Sequence, residues 1–198
     1  MGGVLSSRQI QAMADAGQIR LAAPLAHGQI QPASLDLRLG PKAYRVRASF
    51  LPGKRRSVDE LLAALKYDEM SLEGDGAVLE RGCFYVVPLL ESLALDESVV
   101  GAANPKSSTG RLDIFTRLIT DRGDRFDEVA AGYRGPLYAE VSPRSFSVRA
   151  RKGTRLNQLR FRGRAQGASL SDADLAELHR KSPLVDGPLN LRDGVVLR

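Results

Sequence analysis

The chain has 198 residues, with 29 basic and 23 acidic side chains giving a formal net charge of +6. Two histidines, one cysteine and no tryptophan sit in a composition that is 43% hydrophobic and 26% charged, as expected of a globular protein with one sizeable core, or one domain plus an appendage. The lone Cys83 cannot close an internal disulfide, so a reducing, cytoplasmic setting is expected. A zinc site of the His/Cys type has almost no ligands to draw on, and no apolar run is long enough for a membrane span.

In chain order, Ser6 or Ser7 caps an expected helix over Arg8–Ala16, which Gly17 stops. Gln31–Leu39 reads as a strand, since Leu35, Leu37 and Leu39 alternate with Asp36 and Arg38. Lys42–Ala48 continues in the same style. A Pro-Gly-Lys-Arg-Arg loop follows, then a short helix over Val58–Lys66 capped by Ser57. From Ala77 to Gln158 short apolar runs, among them Cys83–Val87, Val99–Ala102, Leu137–Val141 and Phe146–Ala150, are separated by Gly, Pro and Asp. That spacing predicts an all-β sandwich or barrel. Ser171 caps a further helix running to Arg180, and Val185–Arg198 is strand-like again.

Val141 to Arg164 holds eight basic residues and no acid. An anion-binding surface and the solvated edges of strands both fit. Aromatic residues are only 6% of the chain, and Phe146 and Phe161 read as strand-core residues. An extended nucleic-acid surface needs exposed aromatics among its cations, so a small phosphorylated ligand fits better.

Two segments carry possible chemistry. Lys106-Ser107-Ser108-Thr109-Gly110-Arg111 concentrates two cations, three hydroxyls and a glycine, which suits a polyphosphate but lacks P-loop spacing. A hydroxyl-rich turn capping a helix has the same residue types. Further on, Gly132 and Gly135 bracket a turn leading to Glu140, which lies between Ala139 and Val141. Residue types favour an outward, solvated carboxylate there. Burial would instead suit it to proton transfer. Asp121, Asp124 and Asp127 sit three apart in a glycine-containing stretch that reads as a solvated hairpin more readily than as a metal loop.

Four segments in order resemble the dCTP deaminase branch of the dUTPase-like superfamily: Ile30–Gly40, Lys106–Leu112, Gly132–Gly135 with the downstream Glu140, and Lys152–Leu159. The resemblance spans roughly residues 4–162. It implies a mainly β fold, a distorted jelly-roll-like barrel with a few short helices over residues 1–165, assembled as a homotrimer with sites between subunits. It further implies zinc-independent hydrolysis of dCTP to dUTP and ammonia. On this resemblance Glu140 activates the water and shuttles protons, while Ser107 and Arg111 position the base and that water. Lys106 and Ser108 face the phosphates, Lys106 standing where the family has an arginine, and Thr109, Tyr133 and Gln158 are further substrate contacts. Magnesium accompanies the triphosphate, held by phosphate oxygens and water. No nucleic acid and no membrane is implied as a partner. Zinc is not expected, because His27, His179 and Cys83 are isolated and do not make the ligand spacing of the zinc deaminases.

The sequence departs from the family at Ala130, which stands where the superfamily's diphosphatases hold the aspartate that activates water for phosphate cleavage. This argues against a dUTP/dCTP diphosphatase. A non-catalytic nucleotide-binding or oligomerisation module is the alternative from another class. Residues 166–198 read as a helix-containing linker and the first strand of a second unit, or as a strand returning to this domain's own sheet.

Overall fold

The computed structural model describes residues 2–164, 171–183, 186, 191–192 and 195–196. After β1 (Gly2–Val4), Ser6 caps α1 (Ser7–Asp15), its backbone N–H donating to Gln9 Oε1 at 2.9 Å. Helix α1 buries Ile10 and Met13. Next come β2 (Ile19–Leu21), β3 (Ile30–Gln31), β4 (Ser34–Arg38) and β5 (Lys42–Val46). The single strand expected over Gln31–Leu39 is thus a hairpin, turned at Pro32 and Ala33, with Ile30 opposite Leu35.

Ser57 caps α2 (Val58–Leu65), accepting from Glu60 N at 3.2 Å while Glu60 reaches back to Ser57 N. The chain then passes at Lys66 straight into β6 (Lys66–Ser71), a strand that its polar text does not announce. Then follow β7 (Ala77–Leu79), β8 (Phe84–Ala94), β9 (Val99–Pro105), the short α3 (Ser107–Arg111) and β10 (Ile114–Thr120). Next are β11 (Glu128–Val129), β12 (Arg134–Pro143), β13 (Val148–Ala150) and β14 (Arg155–Arg164). Phe146 falls before β13 and is 50% exposed, so it is not a core residue, whereas Phe161 is fully buried.

Twelve of the strands form two antiparallel six-stranded sheets, and β13 pairs separately with β7. One has the order β11-β9-β14-β4-β3, with β1 also on β14; the other has β10-β12-β8-β5-β6, with β2 also on β8. Neither closes into a barrel. The architecture is a jelly-roll-like sandwich. Between the sheets, Leu35, Leu37, Leu159 and Phe161 meet Leu93, Leu118 and Leu137, with Ile10 of α1 in the same cluster. The outer face of the second sheet carries a separate apolar layer, in which Val86, Ile119 and Tyr138 pack with Val58 and Leu62 of α2. That covering layer decides the environment of the site.

Helix α4 (Asp172–Lys181) is capped by Ser171 as expected, and β15 (Leu191–Arg192) pairs with β16 (Val195–Val196). The expected domain boundary at 165/166 and Leu197 lie outside the described residues. Among the described residues no helix is long and apolar enough to cross a membrane.

Candidate active site

Strand alternation assigns the predicted residues to faces. In β12, Leu137, Ala139 and Val141 point between the sheets, so Tyr138, Glu140 and Ser142 point to the outer face of the second sheet. Register across that sheet sets Arg117 of β10 opposite Glu140, and Glu140 opposite Val86. Because α2 and the segment around Phe50 and Leu51 cover this face, Glu140 has no exposed surface. The solvated carboxylate that the residue types favour is therefore overturned by a layer contributed from elsewhere in the chain.

Burying a carboxylate requires a partner. Arg117 supplies it: Nη2 and Nε donate to Glu140 Oε1 at 2.6 and 3.1 Å. The guanidinium is itself held by Ser49 Oγ at 2.7 Å and lies over the Phe126 ring, 3.5 Å from its centroid, with Phe115 at 4.8 Å. Glu140 Oε2 is buried with no hydrogen-bond partner, and so is Ser142 Oγ. Beside this pair Asp127 adopts φ 62, a left-handed conformation that aspartate tolerates, and accepts from Leu118 N at 2.8 Å. Burial pushes the Asp127 carboxyl above its ordinary value, against the pull of that N–H and of Arg117.

The second group lies on the first sheet. Leu35, Ala103 and Leu159 form one inward row, so the next row, Asp36, Gln158 and Asn104, faces outward. Lys106 ion-pairs with Asp36, whose side chain is 1% exposed, and Arg155 stands 3.7 Å from the same carboxylate oxygen. Gln158 Oε1 accepts from Ser34 Oγ at 3.4 Å. Ser107, Ser108 and Arg111 are exposed on α3, which joins β9 of one sheet to β10 of the other. Thr109 is turned inward, donating to Leu156 O at 3.0 Å.

Tyr133 belongs to neither group. Its hydroxyl donates to Pro136 O at 2.6 Å and accepts from Asp121 N at 3.1 Å, and burial raises its ionisation well above the usual phenol range. It lines two neighbouring clefts of about 370 and 510 Å³, which also share Asp121, Arg122 and Ala130. The three aspartates of this loop go separate ways. Asp121 accepts from Val58 N at the start of α2, Asp124 lies 3.5 Å from Lys54, and Asp127 bonds Leu118 N.

One chain therefore keeps Glu140 on one outer face of the sandwich and the Lys106, Asp36 and Gln158 group on the other, with two sheets between them. Nothing in the local sequence around Arg117, Asp36 or Ser142 marks them as chemistry-bearing. Register alone reveals Arg117, because it lies 23 positions from Glu140.

These features define a two-sheet β protein with a buried carboxylate–guanidinium pair. Residues 1–167 match the family described as 2'-deoxycytidine 5'-triphosphate deaminase (DCD) N-terminal domain, and the chain belongs to that family. A solved 2'-deoxycytidine 5'-triphosphate deaminase from Agrobacterium tumefaciens is 49% identical with a TM-score of 0.85, covering 96% of this chain and 56% of its own. A "dCTP deaminase, dUMP-forming" of Parafrankia sp. is 38% identical over 115 residues, 57% of this chain and 55% of the relative. A "dCTP deaminase" of Natronomonas pharaonis is 30% identical over 166 residues, 80% of this chain and 79% of the relative. The chain thus spans little more than half the length of the Agrobacterium and Parafrankia proteins.

Proposed function

We propose that this protein hydrolyses the amino group of dCTP, with Glu140 as the base, in cytoplasmic pyrimidine deoxynucleotide metabolism. The observation that carries this reading is the fully buried Glu140, held by Arg117 at one oxygen and unpartnered at the other, in a chain of the deaminase family. A carboxylate oxygen fixed in a water-poor setting with free lone pairs suits a general base. Glu140 takes a proton from water as the hydroxyl adds to C4 of cytosine, and passes that proton to N3. It then takes the remaining hydroxyl proton and gives it to the amino group. The C4–N bond breaks, ammonia leaves and C4=O forms, so that dCTP and water become dUTP and ammonia.

Ser107 and Arg111 at the exposed α3 corner serve the base and water, and Lys106, Ser108 and Gln158 serve the phosphates and sugar. Since a single sandwich holds these groups apart from Glu140, the reading includes a homotrimer in which the α3 corner of one chain meets the Glu140 face of the next. Thr109 acts by fixing α3 on Leu156, and Tyr133 by shaping the loop above the two clefts. Magnesium enters with the substrate, held by its phosphate oxygens and water. Residues 166–198 serve in this reading as the link to a second unit.

A dUMP-forming reaction is the second reading, favoured by the name of the Parafrankia relative and opposed by Ala130 in the clefts beside Tyr133. Incubation with dCTP and magnesium, following ammonia, dUTP, dUMP and pyrophosphate separately, tests both. Ammonia with dUTP supports the proposal, ammonia with dUMP and pyrophosphate supports the second reading, and nucleotide binding without product supports a non-catalytic module.

A further inference from the structure

Ser142 and Glu140 are alternate residues of β12 and project from the same face, in unbroken register with Phe115 and Arg117 of β10. Both side chains have no exposed surface, and Glu140 Oε2 and Ser142 Oγ are each buried without a hydrogen-bond partner. Two such orphans side by side are unusual, because buried polar atoms are nearly always satisfied by protein or by an ordered water. Alternate residues of a strand have Cα atoms about 7 Å apart on one face, and the longer glutamate side chain can lean toward the serine to within the roughly 5.5 Å between polar atoms that one water bridges. Arg117 already occupies Oε1 twice, which leaves Oε2 as the oxygen free to accept.

We infer that Ser142 is a further anchor of the attacking water, beside those already proposed, and that the water sits between its hydroxyl and Glu140 Oε2. This rests on the deaminase reading given above and adds a residue to it. The hydroxyl of Ser142 fixes the water's position and lone-pair direction, while Oε2 receives its proton. Arg117 holds the carboxylate so that the two roles fall on different oxygens. Phe115, opposite Ser142, is 43% exposed, so the serine end of the pair lies nearer to solvent than the buried glutamate end.

The test is Ser142→Ala in the full-length protein, with kinetics, unfolding and a high-resolution crystal structure of both forms. Removing an orphaned buried hydroxyl relieves an unmet hydrogen bond, so a merely structural role predicts equal or higher stability with activity intact. The inference predicts equal or higher stability with kcat reduced about tenfold and KM for dCTP unchanged, the fold-change that loss of one ordinary hydrogen bond to the water brings. Ser142→Thr, which keeps the hydroxyl, recovers part of kcat. The wild-type crystal shows a water bridging Glu140 and Ser142 that is missing from the Ala variant. No such water, or full kcat in Ser142→Ala while Glu140→Gln is inactive, overturns the inference and leaves the deaminase reading standing. A wild-type protein that releases no ammonia from dCTP overturns both.

Discussion

Arg117 grips Glu140 at a single oxygen, with 2.6 and 3.1 Å contacts to Oε1, while Oε2 stays buried and unbonded. The pair is therefore lopsided: one oxygen anchors the carboxylate and the other is available. The Arg117 side chain retains 24% exposure while that of Glu140 has none, so the guanidinium lies between the buried carboxylate and solvent.

Arg117→Ala strands the buried Glu140 carboxylate and removes the cation stacked on Phe126. Breaking a buried pair from one side costs about 3 kcal/mol. Urea unfolding should show a loss of that order, with a smaller loss in Arg117→Lys, which keeps a charge but not the two-donor contact or the planar stacking. Equal stability of wild type and the Ala variant would show that the pair does not neutralise Glu140.

A second buried pair reports on the frame. Glu91 accepts from Arg38 Nε and backbone N at 2.7 Å each and from Gln29 Nε2 at 2.8 Å, and its side chain is fully buried. Glu91→Ala leaves the Arg38 guanidinium with only the carbonyls of Ala23 and Pro24. A loss of about 3 kcal/mol or more is expected on unfolding, while Glu91→Gln, which retains acceptor and shape, loses less. The reverse order would contradict the ion-pair account.

The candidate site and these two pairs show what the sequence could and could not convey. Serine caps at Ser6, Ser57 and Ser171 are local features, and all three helices start where those residues predict. The period-two text of β4 likewise exposes its own inward row, Leu35 and Leu37. The burial of Glu140 is not local: it comes from α2 and residues near Phe50 folding over the outer face of the second sheet. Ala-Glu-Val reads identically on a solvated face. Arg117 and Asp36 follow the same logic, since their partners are set by register between strands remote in sequence. Phe146 errs the other way, an aromatic that reads as core but sits beyond the strand that would have buried it.

Stability should vary with pH through Asp127. Its carboxyl is raised by burial, so between the unfolded and folded values the native state holds the extra proton, and stability falls as pH climbs through that window. Asp127→Asn keeps an oxygen for Leu118 N and removes the titration. The variant should lose this part of the pH dependence and be at least as stable as wild type at neutral pH. A steeper decline in the variant would contradict burial as the dominant cause.

Ammonia release from dCTP by wild type and by Glu140→Gln decides whether Glu140 is the proposed base. Glutamine preserves size and the acceptor for Arg117 but cannot take a proton from water. The variant is expected to bind dCTP with an affinity close to that of wild type and to release ammonia at least 100-fold more slowly, in keeping with about 10²-fold or more for a lost general base. Undiminished ammonia release by Glu140→Gln would contradict that role.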